Sequence, residues 1–291
     1  VDTVFGYPGS AVLDIYDELY KCDKIRHILT CHEQAAAHAA DGYARATGKT
    51  GVVIATSGPG ATNLVTGIAA AYMDSSPVVA ITGNVKTSLL GSDSFQEVDI
   101  AGVTMPVTKY SFIASGERGV AQDVREAFSI AQSGRKGPVL VDIPADIAAQ
   151  SEEYERAPKS EPARAKEPEE AQLARAAQMI AKAKRPLIYV GGGAISSGAS
   201  EALGAFAKKL QIPVACSMMG LGAYPCSAKL FLGLVGMHGN PAANTAALNC
   251  DLLIAAGARF SNRVAASKAS FAPKAKIIHI DIDAAEFDKN I

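Results

Sequence analysis

The chain has 291 residues, 48% of them hydrophobic and 20% charged, a balance that supports buried cores and excludes disorder along its whole length. At roughly 150 residues per domain, that length corresponds to two domains. Lys and Arg number 28 against 29 Asp and Glu, a net charge of -1, which supplies no broad positive field for a polyanion and argues against a nucleic-acid partner.

Along the chain, short β-rich runs alternate with Ala-rich helical patterns. Strands are expected at 3–6, 25–29, 51–55, 78–82, 108–112 and 139–143. Continuous apolar runs such as Val52-Val53-Ile54-Ala55 suit parallel strands buried on both faces. Helices are expected at 11–20 with Ser10 as N-cap, at 34–47 closed by Gly48, at 61–73 and at 119–132. Residues 152–170 carry eleven charged side chains and three prolines, Pro158, Pro162 and Pro168, with no Val, Ile, Leu or Phe, which reads as an exposed linker. The alternation then resumes, with strands at 187–190, 214–217, 252–256 and 277–280 and helices at 170–183, 199–210 and 241–248. The fold class is therefore α/β, with two doubly wound parallel-sheet domains at 1–148 and 171–291, a linker at 149–170, and ligand sites beyond the carboxyl ends of the strands.

The five cysteines, Cys22, Cys31, Cys216, Cys226 and Cys250, are scattered and never form a CxxC pair. That pattern points to neither a disulfide framework nor a zinc site and suits a reducing compartment. No apolar run reaches the roughly 18 residues of a membrane span, so no membrane partner is expected. A start at Val1 in place of Met reads as a truncated N-terminus; a cytoplasmic location is expected, with a plastid left open.

His32-Glu33-Gln34 falls between a strand and an Ala-rich helix, which places a carboxylate at the carboxyl edge of the sheet. Glu33 is then either an acid favoured by the helix dipole or a carboxylate turned into a cleft to exchange a proton or hydrogen bond with a cofactor nitrogen. Ala35, Ala36 and Ala37 leave room for the second arrangement. The run Thr56-Ser57-Gly58-Pro59-Gly60-Ala61-Thr62-Asn63 is a glycine-rich strand-to-helix turn, either structural or able to cradle an anion on its N–H groups. It lacks the GK[ST] ending of a P-loop.

Gly191-Gly192-Gly193 follows a strand, but Ser196 stands at the third fingerprint position and the next strand closes on Cys216-Ser217 without a ribose-binding acid. NAD is therefore not expected. Two later turns, Gly236-Met237-His238-Gly239 and Gly257-Ala258-Arg259-Phe260, are more informative. Arg259, directly after a buried strand, either grips phosphate or stacks on a ring, or is an ordinary surface residue. Phe95-Gln96-Glu97 lies in a long polar loop, 89–99, of the kind that covers sites. His27, His38 and His279 fall inside strands or a helix and read as structural.

Several motifs carry a family resemblance: FGYPG at 5–9, HEQ at 32–34, DGYARAT at 41–47, TSGPGATNLVT at 56–66, FQE at 95–97, GRKGPVLVDIP at 134–144, GMHG at 236–239 and GARFSNRV at 257–264. In this order, over essentially the whole chain, they resemble the catalytic large subunits of the acetolactate synthase (acetohydroxyacid synthase) family of thiamine-diphosphate enzymes. The resemblance implies a pyrimidine-binding first domain and a Rossmann-like central domain that holds FAD in this family. A third family domain, whose GDG...N motif binds Mg2+ and diphosphate, has no counterpart here. The chain is thus expected to be the first two-thirds of the family polypeptide, inactive alone, and to offer no metal ligand of its own.

The implied reaction decarboxylates pyruvate and condenses the two-carbon unit with a second 2-ketoacid, pyruvate or 2-ketobutyrate, to give acetolactate or acetohydroxybutyrate in branched-chain amino-acid biosynthesis. Glu33 matches the glutamate that contacts N1′ of the aminopyrimidine, and Phe95 and Gln96 match residues of the active-site channel. Pro8, Gly58 and Asn63 fall within the thiamine-site motifs. Arg135, Gly192, Met237, His238, Gly257, Ala258, Arg259 and Arg263 match flavin-contacting positions, Ser217, Met218 and Met219 do so more loosely, and Asp281 falls where an acid near the adenosine part is expected. Ser10 replaces a Gly close to the reacting centre, where its Cβ crowds the substrate; Ala145 replaces a Lys, and Ser261-Asn262 replaces Asp-Asp. A homodimer or tetramer is implied, and a regulatory small subunit is left open. The alternatives are another thiamine-diphosphate 2-ketoacid decarboxylase, oxidase or carboligase, or, for the isolated chain, a non-catalytic binding module.

Overall fold

The apolar runs of the first half become the strands of one parallel sheet. The computed structural model describes residues 1–154, 167–265 and 271–291, and the chain divides into two compact units, Val1–Arg164 and Ala165–Ile291. In the first unit the strands are β1 (Thr3–Tyr7), β2 (Arg26–Leu29), β3 (Gly51–Ala55), β4 (Val78–Asn84), β5 (Tyr110–Ile113) and β6 (Val139–Pro144). Their order is β2-β1-β3-β4-β6-β5, every pair parallel. β3 and β6 are buried at every residue because alternate side chains serve opposite faces. Val53 and Ala55 join Phe5, Leu64 and Ile68 on one side, while Val52 and Ile54 join Val4 and Val12 on the other.

The helix Glu33–Thr47 packs on the first of these faces through Ala36, Ala37 and Ala40. Its approach is close enough that a Cβ at Gly51 would overlap the Ala40 carbonyl, and one at Gly67 would overlap the Ala37 methyl. Gly48 closes this helix in the left-handed conformation, as expected.

Three local expectations are revised. Ser10 is not a side-chain cap: it opens a 3-10 turn, Ser10–Val12, the helix proper is Leu13–Tyr20, and the Ala11 N–H is taken instead by Thr56 Oγ1 at 3.3 Å. The helix expected at 61–73 is two, Pro59–Asn63 and Val65–Met73, parted at Leu64, whose N–H makes a tighter bond to Ala61 O at 3.1 Å. β5 starts at Tyr110 because the 3-10 turn Met105–Val107 occupies the preceding residues. The short helices Ile100–Thr104 and Ala145–Ala148 carry too little periodicity to be anticipated. Of the expected linker, 155–166 lie outside the described residues, and 151–154 and 167–169 are neither helix nor strand.

The second unit repeats the architecture with β7 (Pro186–Val190), β8 (Val214–Cys216), β9 (Phe231–Leu234), β10 (Leu252–Ala256) and β11 (Lys276–Ile280), in the parallel order β11-β10-β7-β8-β9. Leu187, Tyr189, Ala215, Leu253 and Ala255 build the core on one face, and Ile188, Val190, Val214, Cys216 and Ile254 on the other. β9 was not expected. It is half-buried, and Gly233 at φ +93° disturbs its pairing with β8 between Val214 and Ala215, so neither alternation nor a continuous apolar run marks it. Among the described residues no helix is long and apolar enough to cross a membrane.

The helix contacts generate a paired prediction. Gly67→Ala places a methyl group on Ala37 and lowers the unfolding free energy by about 1–3 kcal/mol. Gly42→Ala, a helical position with no neighbour within 4 Å of the new Cβ, raises it by about 0.5–1 kcal/mol. Urea unfolding of the two variants beside the wild type measures both.

Candidate functional site

In the first sheet the chain leaves β1 for β2 on one side and returns to β3 on the other, so β1 and β3 flank the switch point where an open α/β sheet binds ligands. Glu33 opens the helix after β2, with His32 Nδ1 accepting the Gln34 N–H at 3.1 Å. At 9% exposure its carboxylate is turned inward. Asn63 Nδ2 donates to Glu33 Oε2 at 2.9 Å, and a Cβ at Gly60 would stand 3.3 Å from Glu33 Oε1. One oxygen is thus held while the other faces space that the glycine keeps open, free to accept another donor.

The turn after β3 is tight on both sides. A Cβ at Gly9 would come within 2.5 Å of Thr56 Cβ, and one at Gly58 within 2.6 Å of the Gln96 carbonyl oxygen. Gly58 also sits at φ +60°, a conformation that glycine adopts without strain. The structure therefore brings Glu33, Gly58, Gly60, Asn63 and Gln96 to one place. Pro8 and Ser10 lie exposed beside them after β1, and the Phe95 ring is 87% exposed. Beneath the site, Tyr16 Oη and His27 Nε2 lie 3.2 Å apart. Burial, then the nearby Glu33 charge, holds the Tyr16 phenol above its usual range, and burial lowers the His27 imidazole, as befits the structural role expected of that histidine.

The loop that carries Phe95 and Gln96 is fixed by carboxylates. Glu97 accepts the Gly91 N–H and the Ser94 N–H, the latter at 2.8 Å, and these donors, Ser94 first, hold it below the ordinary glutamate range. Asp146 accepts the Thr87 N–H at 2.9 Å, and Asp99 caps the next helix through Gly102 N–H at 2.8 Å.

Asp142 on β6 escaped the reading of the sequence, although an acid inside the fully buried run Val-Leu-Val-Asp-Ile-Pro is itself a signal. It accepts Thr82 Oγ1 at 2.6 Å and Asn84 Nδ2, and Asn84 Oδ1 in turn accepts the Val85 N–H at the start of the loop. Burial pushes Asp142 up to about 6 from an ordinary 3.8, against the Thr82 and Asn84 hydrogen bonds and with help from the Asp99 charge.

In the second unit the chain leaves β7 for β8 on one side and returns to β10 on the other, and the glycine turns meet at that switch point. Gly193 N–H donates to Gly257 O at 3.0 Å, Gly257 sits at φ +55°, and a Cβ there would lie 2.5 Å from the Ala194 nitrogen. Gly192 faces Met219, whose Cβ a side chain at 192 would approach to 3.1 Å. Ser217 Oγ accepts the Gly220 N–H at 3.2 Å and so shapes the turn that carries Met218 and Met219.

Asn244 clamps Gly236 from both sides, at 2.8 and 3.1 Å. Met237 N–H donates to Arg263 O at 2.8 Å, and Arg263 Nη1 lies 3.5 Å from Met237 Sδ. Gly192, Ser217, Met218, Met219, Met237, Gly257, Ala258, Arg259 and Arg263 thus fall on the carboxyl-edge turns of one sheet. Met218 and Met237 are each 63% exposed, unusual for apolar side chains and suited to a flat aromatic ligand. His238 is exposed on the same turn. Asp281 is tied inward, accepting the Asp283 N–H at 2.9 Å. His279 packs edge-on to Phe260 and Phe287. Arg135 belongs to the first unit, before β6, and donates to Ser75 Oγ at 2.9 Å.

The buried acid gives a pH prediction. A native-state pKa above the unfolded one means that the folded chain binds the proton more tightly. The Asp142 contribution is therefore complete below about pH 4 and lost as pH rises through about 6. At about 1.4 kcal/mol per unit, the wild-type unfolding free energy minus that of Asp142→Asn falls by about 2–3 kcal/mol between pH 4 and 7 in urea titrations; a constant difference would refute this.

Comparison with known families accounts for both units. Residues 1–103 match the thiamine pyrophosphate enzyme N-terminal TPP-binding domain, and 173–291 match the thiamine pyrophosphate enzyme central domain. The chain is 52% identical to the probable acetolactate synthase large subunit of Methanocaldococcus jannaschii, over 100% of this chain and 50% of that protein. It is 52% identical to the acetolactate synthase large subunit of Corynebacterium glutamicum (99% and 46%) and 48% identical to the acetolactate synthase isozyme 3 large subunit of Escherichia coli (100% and 52%). The chain therefore spans about half the length of the curated relatives it matches. The two domain matches and these relatives agree with the parallel-sheet folds, and the chain belongs to the thiamine pyrophosphate enzymes, of which it carries the N-terminal and central domains.

Proposed function

We propose that the polypeptide to which this chain belongs is an acetolactate synthase large subunit, decarboxylating pyruvate and joining the two-carbon unit to a second 2-ketoacid, pyruvate or 2-ketobutyrate. The observation that carries this reading is the inward Glu33 carboxylate, held through one oxygen by Asn63 and left open on the other beside Gly60. Thiamine diphosphate, when bound, supplies the nucleophilic carbon and the electron sink that this chemistry needs. With the cofactor bound, Glu33 would hold its pyrimidine ring nitrogen by a hydrogen bond and would hold or pass a proton at its free oxygen. Asn63 fixes the orientation of the carboxylate, Gly58 and Gly60 keep the cradle clear of Cβ atoms, and the Gln96 backbone closes over Gly58 to limit water. Pro8 and Ser10 border the opening, and Phe95 stands ready to line its channel.

In the same reading, the carboxyl edge of the second sheet takes FAD. Arg259 and Arg263 serve its phosphates, Met218, Met219 and Met237 its rings, and Ser217, Gly192, Gly257, Ala258 and His238 their surroundings. Asp281 completes the set through its adenosine part. Among the described residues no group of three or more His, Cys, Asp or Glu could hold a metal; the Mg2+ of this reading is held mainly by the family's third domain. A homodimer or tetramer in the cytoplasm, with a regulatory small subunit as partner, completes the proposal.

Glu33→Gln in the intact polypeptide is expected to lower kcat for acetolactate formation from pyruvate at least ~100-fold, with no oxygen uptake in either protein. Unchanged turnover would remove Glu33 from the mechanism. Acetaldehyde or peroxide as the main wild-type product would reassign the enzyme to a decarboxylase or an oxidase.

A further inference from the structure

β9 and β10 are not neighbours: the order β11-β10-β7-β8-β9 puts β7 and β8 between them. Three strand spacings separate them, about 14 Å. The turns that follow them nevertheless meet. Met237, after β9, donates its N–H to Arg263 O, in the segment after β10, at 2.8 Å. Residues 257–263 therefore traverse the width of the sheet past β7 and β8. On the way Phe260, 4% exposed, packs on Tyr189 of β7 with ring centroids 5.8 Å apart.

The meeting point is built around Gly236. It sits at φ +114°, a conformation open to glycine, and a Cβ there would lie 2.5 Å from Arg263 O. Asn244, in the helix Pro241–Asn249, holds this residue at both ends: Oδ1 accepts the Gly236 N–H at 2.8 Å, and Nδ2 donates to Gly236 O at 3.1 Å. A side-chain amide offers an acceptor and a donor side by side, and so stands in for a strand partner just beyond the end of β9. Gly236 O also accepts the Gly239 N–H at 2.9 Å, so the same amide fixes the carbonyl that closes the Gly236–Gly239 turn. Asn244 is itself well seated. Its helix buries Ala243 and Ala247 and is capped by Asn240, whose Oδ1 accepts the Ala242 N–H at 2.8 Å.

We propose that Asn244 is a positioning residue of the second unit's ligand crevice: it sets the Gly236 peptide so that Met237 meets Arg263, and thereby holds residues 257–263 across the sheet with Met237 and Arg263 joined as one wall for FAD. The inference rests on the FAD reading of that crevice and adds to it the residue that fixes the wall. Arg263 Nη1 lies 3.5 Å from Met237 Sδ, so the two side chains adjoin as well as the two main chains. Asn244 acts on the ligand only through these residues. Without its clamp, ordering the wall becomes part of the binding step, and affinity falls.

The test measures FAD binding to the intact polypeptide by flavin fluorescence and absorption. Asn244→Ala removes both hydrogen bonds and is expected to weaken binding about tenfold, with the bound flavin's absorption moving toward that of free FAD. Asn244→Asp keeps the acceptor for the Gly236 N–H and loses about two- to fivefold; it decides alone if Asn244→Ala does not fold. In an Arg263→Ala background Asn244→Ala loses less than it does in the wild type, because part of the wall that it positions is gone. Asn249→Ala, on the same helix and bonded only to Thr245 O, keeps the wild-type affinity. An Asn244 variant that folds and retains wild-type affinity and spectrum, or losses that simply add to those of Arg263→Ala, would overturn the proposal and leave the flavin reading standing. A wild type that binds no FAD ends both.

Discussion

The helix Glu33–Thr47 stands where it does because nothing larger than a methyl group separates it from its neighbours. Ala36, Ala37 and Ala40 face the sheet, and Gly51 and Gly67 accept the backbone and methyl groups that press on them. The position of Glu33 follows from that contact, since the helix can neither roll nor lift without opening a gap under a row of alanines. Dispersion over such short distances is lost quickly as atoms part, so a carboxylate at the first residue of this helix is placed by the whole face behind it. Asn63 then needs only one hydrogen bond to choose which way the carboxylate points. Asn63 ends a helix whose junction with the next is a fully buried Leu64, which anchors it by the same kind of packing.

The second unit solves the same problem with glycine in place of alanine. At its switch point the turns after β7 and β10 touch through main chain, Gly193 to Gly257, which leaves no side chain to obstruct a ligand there. What surrounds this backbone floor is adaptable: exposed methionines on two turns and an arginine on a third. A rigid floor with soft walls suits a large planar ligand better than a small anion, which a tighter nest of N–H groups would hold.

Much of this was readable in the residues, for physical reasons that differ by element. Strands such as Gly51–Ala55 and Leu252–Ala256 announce themselves because burial on both faces demands an unbroken apolar run. Gly48 marks a helix end because its backbone angle needs glycine. β9 hides because an edge strand with a glycine in it satisfies neither pattern, and Ser10 misleads because a cap can be displaced when a distant side chain, Thr56, reaches the same turn. The motif-bearing residues Glu33, Gly58 and Asn63 could be named from sequence. That Asn63 grips Glu33, or that Gly58 carries the Gln96 backbone, is tertiary information that spacing does not encode. Asp142 was missed for a related reason: within an apolar strand, a polar side chain shows its meaning only through the partners that it has.

Those partners grade the buried polar groups by role. Asp142 has both oxygens engaged, by Thr82 and Asn84; it ties β6 to β4 and to the loop that begins at Val85. Glu33 has one oxygen held and one facing cleared space. Desolvation penalises both groups. Glu33, half satisfied, stands beside the first sheet's topological switch point, where a parallel sheet presents its functional surface. Complete satisfaction lies between β4 and β6, where strand pairing and loop anchoring are the only demands.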